Sequence, residues 1–162
     1  MRKLIYMCIL AIVAASCGTP KTVIQSKKVM KGYWTLDNIS YSESGTFNVT
    51  LLSDTSKECF EGSTWRFIPN NNSGLYTITD SNCPTGDRNF IFSIQEMDEN
   101  SGLYDFLLKP TTKQGKPDKD RSIGFRLRLS QLSENSMQWQ QTVNLEGSPF
   151  TITMNFSKSE QL

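Results

Sequence analysis

Histidine is absent from this chain. That removes a Ser-His relay, a Cys-His pair and every histidine-based metal site. No apolar run reaches the roughly 20 residues of a membrane-spanning helix; the segment Leu4 to Ala15 is the obvious apolar stretch and is shorter. No run of basic residues is interleaved with aromatics, which speaks against nucleic acid as a partner. No segment carries a convincing apolar stripe at helical spacing, so the sequence predicts no helix. What remains for catalysis is carboxylates: Asp80 and Asp87 flank Cys83, and Glu96, Asp98 and Glu99 sit at a strand end. Each lies in or beside a turn, where solvated acids are expected, so the expectation is a protein without catalytic residues, cofactor or metal. The run Asp98 to Gly102 also lacks the alternating ligands and distal Glu of an EF-hand calcium loop.

Cysteine is scarce, with four in 162 residues. Arg2 and Lys3, then the apolar stretch, then the small residues Ala14, Ala15 and Ser16 ahead of Cys17 follow the order of a secretory signal. A cysteine directly after small residues resembles the bacterial lipoprotein cleavage box, although Ala14 stands where that box favours Leu. The resemblance implies that residues 1–16 are a removed signal peptide and that Cys17 is acylated, palmitate included. Each buried methylene contributes about 0.8 kcal/mol, so such a chain is anchored to a membrane without spanning it. Cys8 then leaves with the signal and Cys17 takes lipid, so Cys59 and Cys83 remain as a disulfide pair in an oxidising compartment. Loss of Arg2 and Lys3 leaves 15 basic against 16 acidic residues, a mature charge of −1.

Residues 17–29 are short of large apolar side chains and read as a flexible tether. Residues 30–158 are enough for one domain with a single core. There the dominant period is two, with turn residues every 8 to 15 positions or so. Expected strands are Gly32 to Tyr41, Gly45 to Leu52, Ser63 to Ile68, Leu75 to Thr79, Asn89 to Gln95, Leu103 to Lys109, Ser122 to Leu132, Ser136 to Val143 and Phe150 to Ser157. Trp34 and Leu36 change parity to Ile39 and Tyr41, which predicts a bulge near Asp37 and Asn38. A hairpin with Asn70 to Ser73 as its loop would set Phe67 opposite Tyr76 and Trp65 opposite Ile78, and would carry Cys59 toward Cys83. A meander of this length tends to close on itself. The fold class is therefore all-β, a single antiparallel up-and-down β-barrel of about eight strands, with a two-sheet β-sandwich as the alternative.

Parity turns large side chains inward. Trp65, Phe67, Tyr76, Phe92, Tyr104, Phe106, Phe125, Met137, Trp139 and Met154 are the candidate ligand-binding residues of an apolar cup at one end of the barrel. Leu52, Ile68 and Ile91 read as exposed apolar positions suited to protein contact.

The stretch Met30-Lys31-Gly32-Tyr33-Trp34-Thr35-Leu36 resembles the lipocalin signature, glycine, any residue, tryptophan, at the start of the first strand. Cys59 through Trp65, Tyr76 and Cys83, with Phe90 to Ile94, Gly102 to Phe106, Trp139 to Thr142 and Phe150 to Phe156, is similar to the lipocalin-like lipoproteins of Bacteroidota. The resemblance implies that Gly32 and Trp34 close one end of the barrel. It also implies an envelope location, outer-membrane and lipid-anchored. Gly18-Thr19-Pro20 lacks the acidic cluster linked to surface export in that group, so a periplasmic face is expected. In lipocalins a late Arg stacks on the signature Trp; only Arg126 or Arg128 would offer one, and parity points both outward. The expected partner is a small apolar or amphipathic ligand; the alternative is a filled barrel docking on another envelope protein.

Overall fold

The computed structural model describes residues 21–119 and 123–160; the signal segment, Cys17 and the start of the tether lie outside them. Among these residues the period-two runs form eight long strands: β1 (Gly32–Tyr41), β4 (Thr64–Ile68), β5 (Ser73–Ile78), β6 (Gly86–Met97), β7 (Tyr104–Thr111), β8 (Phe125–Leu132), β9 (Ser136–Leu145) and β10 (Ser148–Ser159). Two short strands, β2 (Thr50–Leu51) and β3 (Thr55–Ser56), make a separate ribbon. From β4 to β10 each strand pairs antiparallel with the next, and β1 pairs with β10 on one side and β4 on the other. The result is a closed up-and-down barrel, which excludes the sandwich. The bulge in β1 falls between Leu36 and Asn38, where the parity change required it. Similar shifts occur in β6 after Ile94 and in β8 after Leu129.

The β4–β5 hairpin departs from the expected register by two residues. Trp65 faces Tyr76, and Phe67 faces Gly74. Pro69 to Asn71 form a 3₁₀ turn and Asn72 takes the left-handed conformation at φ 51°, so the loop closes one residue early, over residues 69–72. Gly74 makes this register workable. A Cβ there would lie 2.4 Å from Phe90 Cζ and 2.6 Å from the Arg66 carbonyl, so the absent side chain is what lets Phe90 pack against Phe67 at 5.8 Å.

Part of the expected tether is helix. α1 (Lys21–Met30) buries Val23, Ser26 and Met30, spaced on one face. It crosses the end of the barrel that holds the β4–β5 and β6–β7 turns. Thr22 Oγ1 donates to the Glu99 carbonyl at 2.8 Å, Ser26 Oγ to the Gly102 carbonyl at 2.7 Å, and Lys27 Nζ to Asn72 Oδ1 at 3.0 Å. Trp34 is fully buried beneath the helix and its Nε1 donates to the Met30 carbonyl at 2.8 Å. The cation over Trp34 is neither Arg126 nor Arg128 but Lys158, opposite it on β10, with Nζ 4.3 Å from the ring centroid. The same ammonium donates to the carbonyls of Val29 and Lys31 at 2.8 and 2.6 Å, satisfying oxygens at the helix C-terminus. Its partial burial pulls the Lys158 pKa below the ordinary lysine value.

Replacing Gly74 by Ala is expected to destabilise the protein by about 2–3 kcal/mol, an overpacking cost, whereas Gly115, with open space around it, should cost much less if changed to Asn. Paired urea melts check this. Tyr104 is buried, its hydroxyl lies 3.2 Å from Met30 Sδ, and burial raises its pKa above the ordinary 10.0. The folded phenol therefore keeps a proton that the unfolded one releases, so stability should fall as pH rises above about 10, by up to roughly 1.4 kcal/mol per unit. Tyr104→Phe should flatten that slope in denaturant melts collected across alkaline pH.

Candidate ligand site at the open end

The ten expected ligand-contacting residues are brought together, but chiefly as core. Nine are buried, and Phe125 alone is half-buried. Trp65 stacks on Tyr76 at 4.5 Å, and Trp139 meets Phe106 and Phe156 at 4.9 Å, Phe67 at 5.3 Å and Trp65 at 5.4 Å. Where a cup lined by these side chains was expected, their own rings occupy the space. The Trp139 indole nitrogen has no hydrogen-bond acceptor among the described residues, and the Trp65 and Phe106 rings cross its own at 82° and 71°.

The open end is covered by the connection between β1 and β4. Gly45 to Leu52 was expected as a strand, yet only Thr50 and Leu51 pair. The alternation there reflects a drape over the mouth: Phe47 and Val49 are half-buried and Leu51 is buried, Phe47 packing on Tyr41 and Phe150 without pairing to a barrel strand. Leu52, expected to be exposed, is 2% exposed, because positive φ at Leu52 and Ser53 turns the chain inward. Behind it α2 (Lys57–Phe60) buries Phe60 against Tyr76 at 5.3 Å.

Two links hold this cover down. Asp54 Oδ2 accepts from the Tyr76 hydroxyl at 2.7 Å and from Arg88 Nε at 3.0 Å, and the Asp54 and Arg88 side chains are 10% and 11% exposed. Arg88 also donates to the carbonyls of Gly86 and Pro84. The second link is the Cys59–Cys83 disulfide, Cα to Cα 5.7 Å, which ties α2 to the β5–β6 loop. Glu61 Oε1 accepts the Ile39 N–H at 2.7 Å and so satisfies part of the edge of β1.

Among the described residues, one side of the open end is not covered in this way. Toward the mouth, β8 stays paired with β7 as far as Phe125 and Leu108, and β9 stays paired with β10 as far as Leu145 and Ser148. Pairing between β8 and β9 themselves stops at Arg128 and Gln140. Beyond that point 125–127 and 141–145 form the two lips of a seam. Phe125 packs against the core there, Val143 stands opposite the buried Phe150, Val143 and Leu145 are 37% and 38% exposed, and Ile123, just ahead of β8, is 63% exposed. On its outer side a hollow of about 270 Å³ is lined by Asp105, Arg126, Arg128, Gln140 and Thr142.

Of the carboxylates weighed for catalysis, Asp80 and Asp98 serve turns and Asp87 bonds across the β5–β6 pair. Asp80 accepts from the Asn82 backbone, Asp87 from the Thr77 hydroxyl, and Asp98 from the Asn100 backbone and the Ser101 hydroxyl, bonds that lower the Asp98 pKa. No group of three His, Cys, Asp or Glu side chains among the described residues is placed to hold a metal. Sequence reasoning missed Lys158, Asp54, Arg88 and the seam. The signal for Lys158 was present, since it shares the inward parity of Met154 and Phe156.

No family model matches the chain, and no curated protein does. Among solved structures it is similar to a lipocalin-like protein from Bacteroides uniformis, at 12% identity and TM-score 0.49, covering 81% of this chain and 99% of that one. It is also similar to the bovine lipocalin allergen Bos d 2, at 10% identity and TM-score 0.43, covering 84% and 77%. The strand pairing of this chain, not either likeness, defines its barrel.

Asp54→Asn is expected to cost about 3 kcal/mol, because it leaves the buried Arg88 guanidinium without its counter-charge. A loss below about 1 kcal/mol in chemical denaturation contradicts the latch.

Proposed function

We propose that this protein is a lipid-anchored, non-catalytic envelope protein that binds a small apolar or amphipathic molecule at the open rim of its barrel. The observation that carries the reading is the apolar rim at the seam: Ile123, Val143 and Leu145 stay exposed where the rest of the inward-facing surface is filled. A surface of this kind, beside polar groups that orient a ligand, is what small-molecule sites are made of. Acylation of Cys17 and attachment to the outer membrane, facing the periplasm, complete the proposal and rest on the signal pattern in residues 1–17.

The binding claim is tested with the non-acylated Cys17→Ser chain and the neutral probe Nile red. Saturable fluorescence enhancement is expected, weakened about tenfold by Val143→Asp. Absence of enhancement, or indifference to Val143→Asp, contradicts it. Incorporation of labelled palmitate by the wild type and not by Cys17→Ser tests the anchor.

A second reading is favoured by the filled interior. A groove on the outer wall, lined by Ile68, Leu75, Ile91 and Lys113, offers an apolar strip to a protein partner in the envelope. A chain that is strictly monomeric and recovered alone after crosslinking in intact cells contradicts that reading.

A further inference from the structure

We infer that α1 is the foot on which the anchored protein stands: its outward face, Lys21, Gln25 and Lys28 with Ile24 at one edge, rests on an anionic lipid surface and turns the open end of the barrel away from the bilayer. This orientation rests on the acylation of Cys17 proposed above, and adds to it the charge of the lipid and the direction in which the rim points.

Helical spacing sorts the residues of α1 into two faces. Val23, Ser26 and Met30 recur at steps of three and four and are buried against the barrel end. Lys21, Ile24, Gln25 and Lys28 recur in the same way on the opposite side and are exposed, with Lys31 exposed just past the helix. The helix carries no acid, and residues 1–20 contain none either. Lys28, in the last turn, suits the helix dipole, but Lys21 stands in the first turn, where the dipole favours a carboxylate. Charges serving only the stability of the helix would not be placed so. A basic outward face is the composition of a helix that lies on an anionic membrane. Because the apolar face is already packed on the barrel, the contact with lipid is electrostatic, with Ile24 alone to enter the head-group layer.

The helix is built into the barrel end, so its orientation is the barrel's. Gly102, at φ 71°, lets it approach: a Cβ there would lie 2.6 Å from the Thr22 carbonyl oxygen and 2.8 Å from Ser26 Oγ. Thr22 and Ser26 bond to the β6–β7 turn and Lys27 to the β4–β5 turn, while Lys158 meets the last carbonyls. Lys27 and Lys158 are thus engaged within the protein, and Lys21 and Lys28 point outward. Among the described residues neither is ion-paired. Acids at this end, Asp98, Glu99, Glu134 and Glu160, lie in the turns and the chain end around the helix, and Glu134 borders a hollow with Gln25, Lys28 and Val29.

Chain length sets the distance to the anchor. Three residues, Gly18, Thr19 and Pro20, separate Cys17 from Lys21. Fully extended, that connection reaches about 14 Å, no more than the length of the helix itself, roughly 15 Å. The helix end is therefore the end held against the bilayer, and the β5–β6, β7–β8 and β9–β10 connections point away from it. Ligand then reaches the rim from the aqueous side, not from the membrane that carries the anchor.

The test uses the acylated chain in vesicles of phosphatidylcholine with phosphatidylglycerol, and in vesicles of phosphatidylcholine alone. With Cys17 acylated and Cys59 joined to Cys83, Gln25→Cys on α1 or Ser44→Cys on the cover of the open end supplies the thiol for a fluorophore. Spin-labelled lipid head groups should quench the label at 25 about threefold more strongly than the label at 44. Lys21→Gln/Lys28→Gln, or vesicles lacking phosphatidylglycerol, should each lower that difference by about half or more while the protein stays on the vesicle, and raised salt should do the same. Lys21→Arg/Lys28→Arg should preserve it. Equal quenching at the two positions, or a difference indifferent to the lysines and to lipid charge, overturns the inference and leaves the anchor intact. A chain without acyl mass on Cys17 that is not retained by the vesicles overturns the anchor and the foot together. Circular dichroism of each variant separates loss of the helix from loss of the lipid contact.

Discussion

The contact between Trp65 and Trp139 across the barrel axis is the constraint on which the rest depends. An eight-stranded barrel encloses a volume that side chains can just fill. Here two indoles at 5.4 Å, with Phe67, Phe106 and Phe156 around them, fill its middle. Aromatic side chains bury on the order of 150–250 Å² each and prefer the steep crossings seen here, so the middle of the barrel is the most stable part of the molecule. Gly74 belongs to this constraint, because its missing side chain is the space that Phe90 uses.

With the middle filled, each end is closed by a different device. At the helix end, α1 lies over Trp34, and a single ammonium, Lys158, meets both the indole face and the last carbonyls of the helix. One charge there links the first and last strands and the segment that precedes them. At the other end the cover is irregular chain, which on its own would open readily. It is held by the Asp54–Arg88–Tyr76 contacts and by the disulfide, both on the β5–β6 side. Among the described residues no equivalent tie is seen on the β8–β9 side. The asymmetry leaves apolar side chains exposed at the rim, and it directs the functional reading to the edge of the barrel instead of its axis.

Strand alternation was the readable part of the fold. Phe90 and Phe92, or Met154 and Phe156, face inward in any register that keeps parity, and the bulge in β1 was legible because Trp34 and Ile39 cannot otherwise share a face. The disulfide was expected because Cys59 and Cys83 are the two cysteines outside residues 1–17. Register was less legible, since turn conformation at Asn72 and the need for a glycine opposite Phe67 are set by neighbours on other strands. The helix was hidden because its buried face contains Ser26, whose hydroxyl finds a carbonyl in a turn 76 residues away, while Ile24 on the same segment is 43% exposed. The drape over the mouth imitated a strand because both present alternate residues to a core. The seam has no local signature: Gln141 to Val143 fell within an expected strand, and only the end of β8–β9 pairing at Arg128 and Gln140 leaves that edge unpaired among the described residues.

Whether ligand meets the rim or the interior is read by two-dimensional amide and indole NMR of the isotope-labelled Cys17→Ser chain during titration with dodecanoate. Binding at the rim confines the shifts to 123–128, 140–145 and the adjoining residues 47–49 and leaves the Trp65 and Trp139 indole resonances unmoved. Large, concerted shifts of those two indoles would show that the barrel opens to take ligand along its axis, and would contradict it.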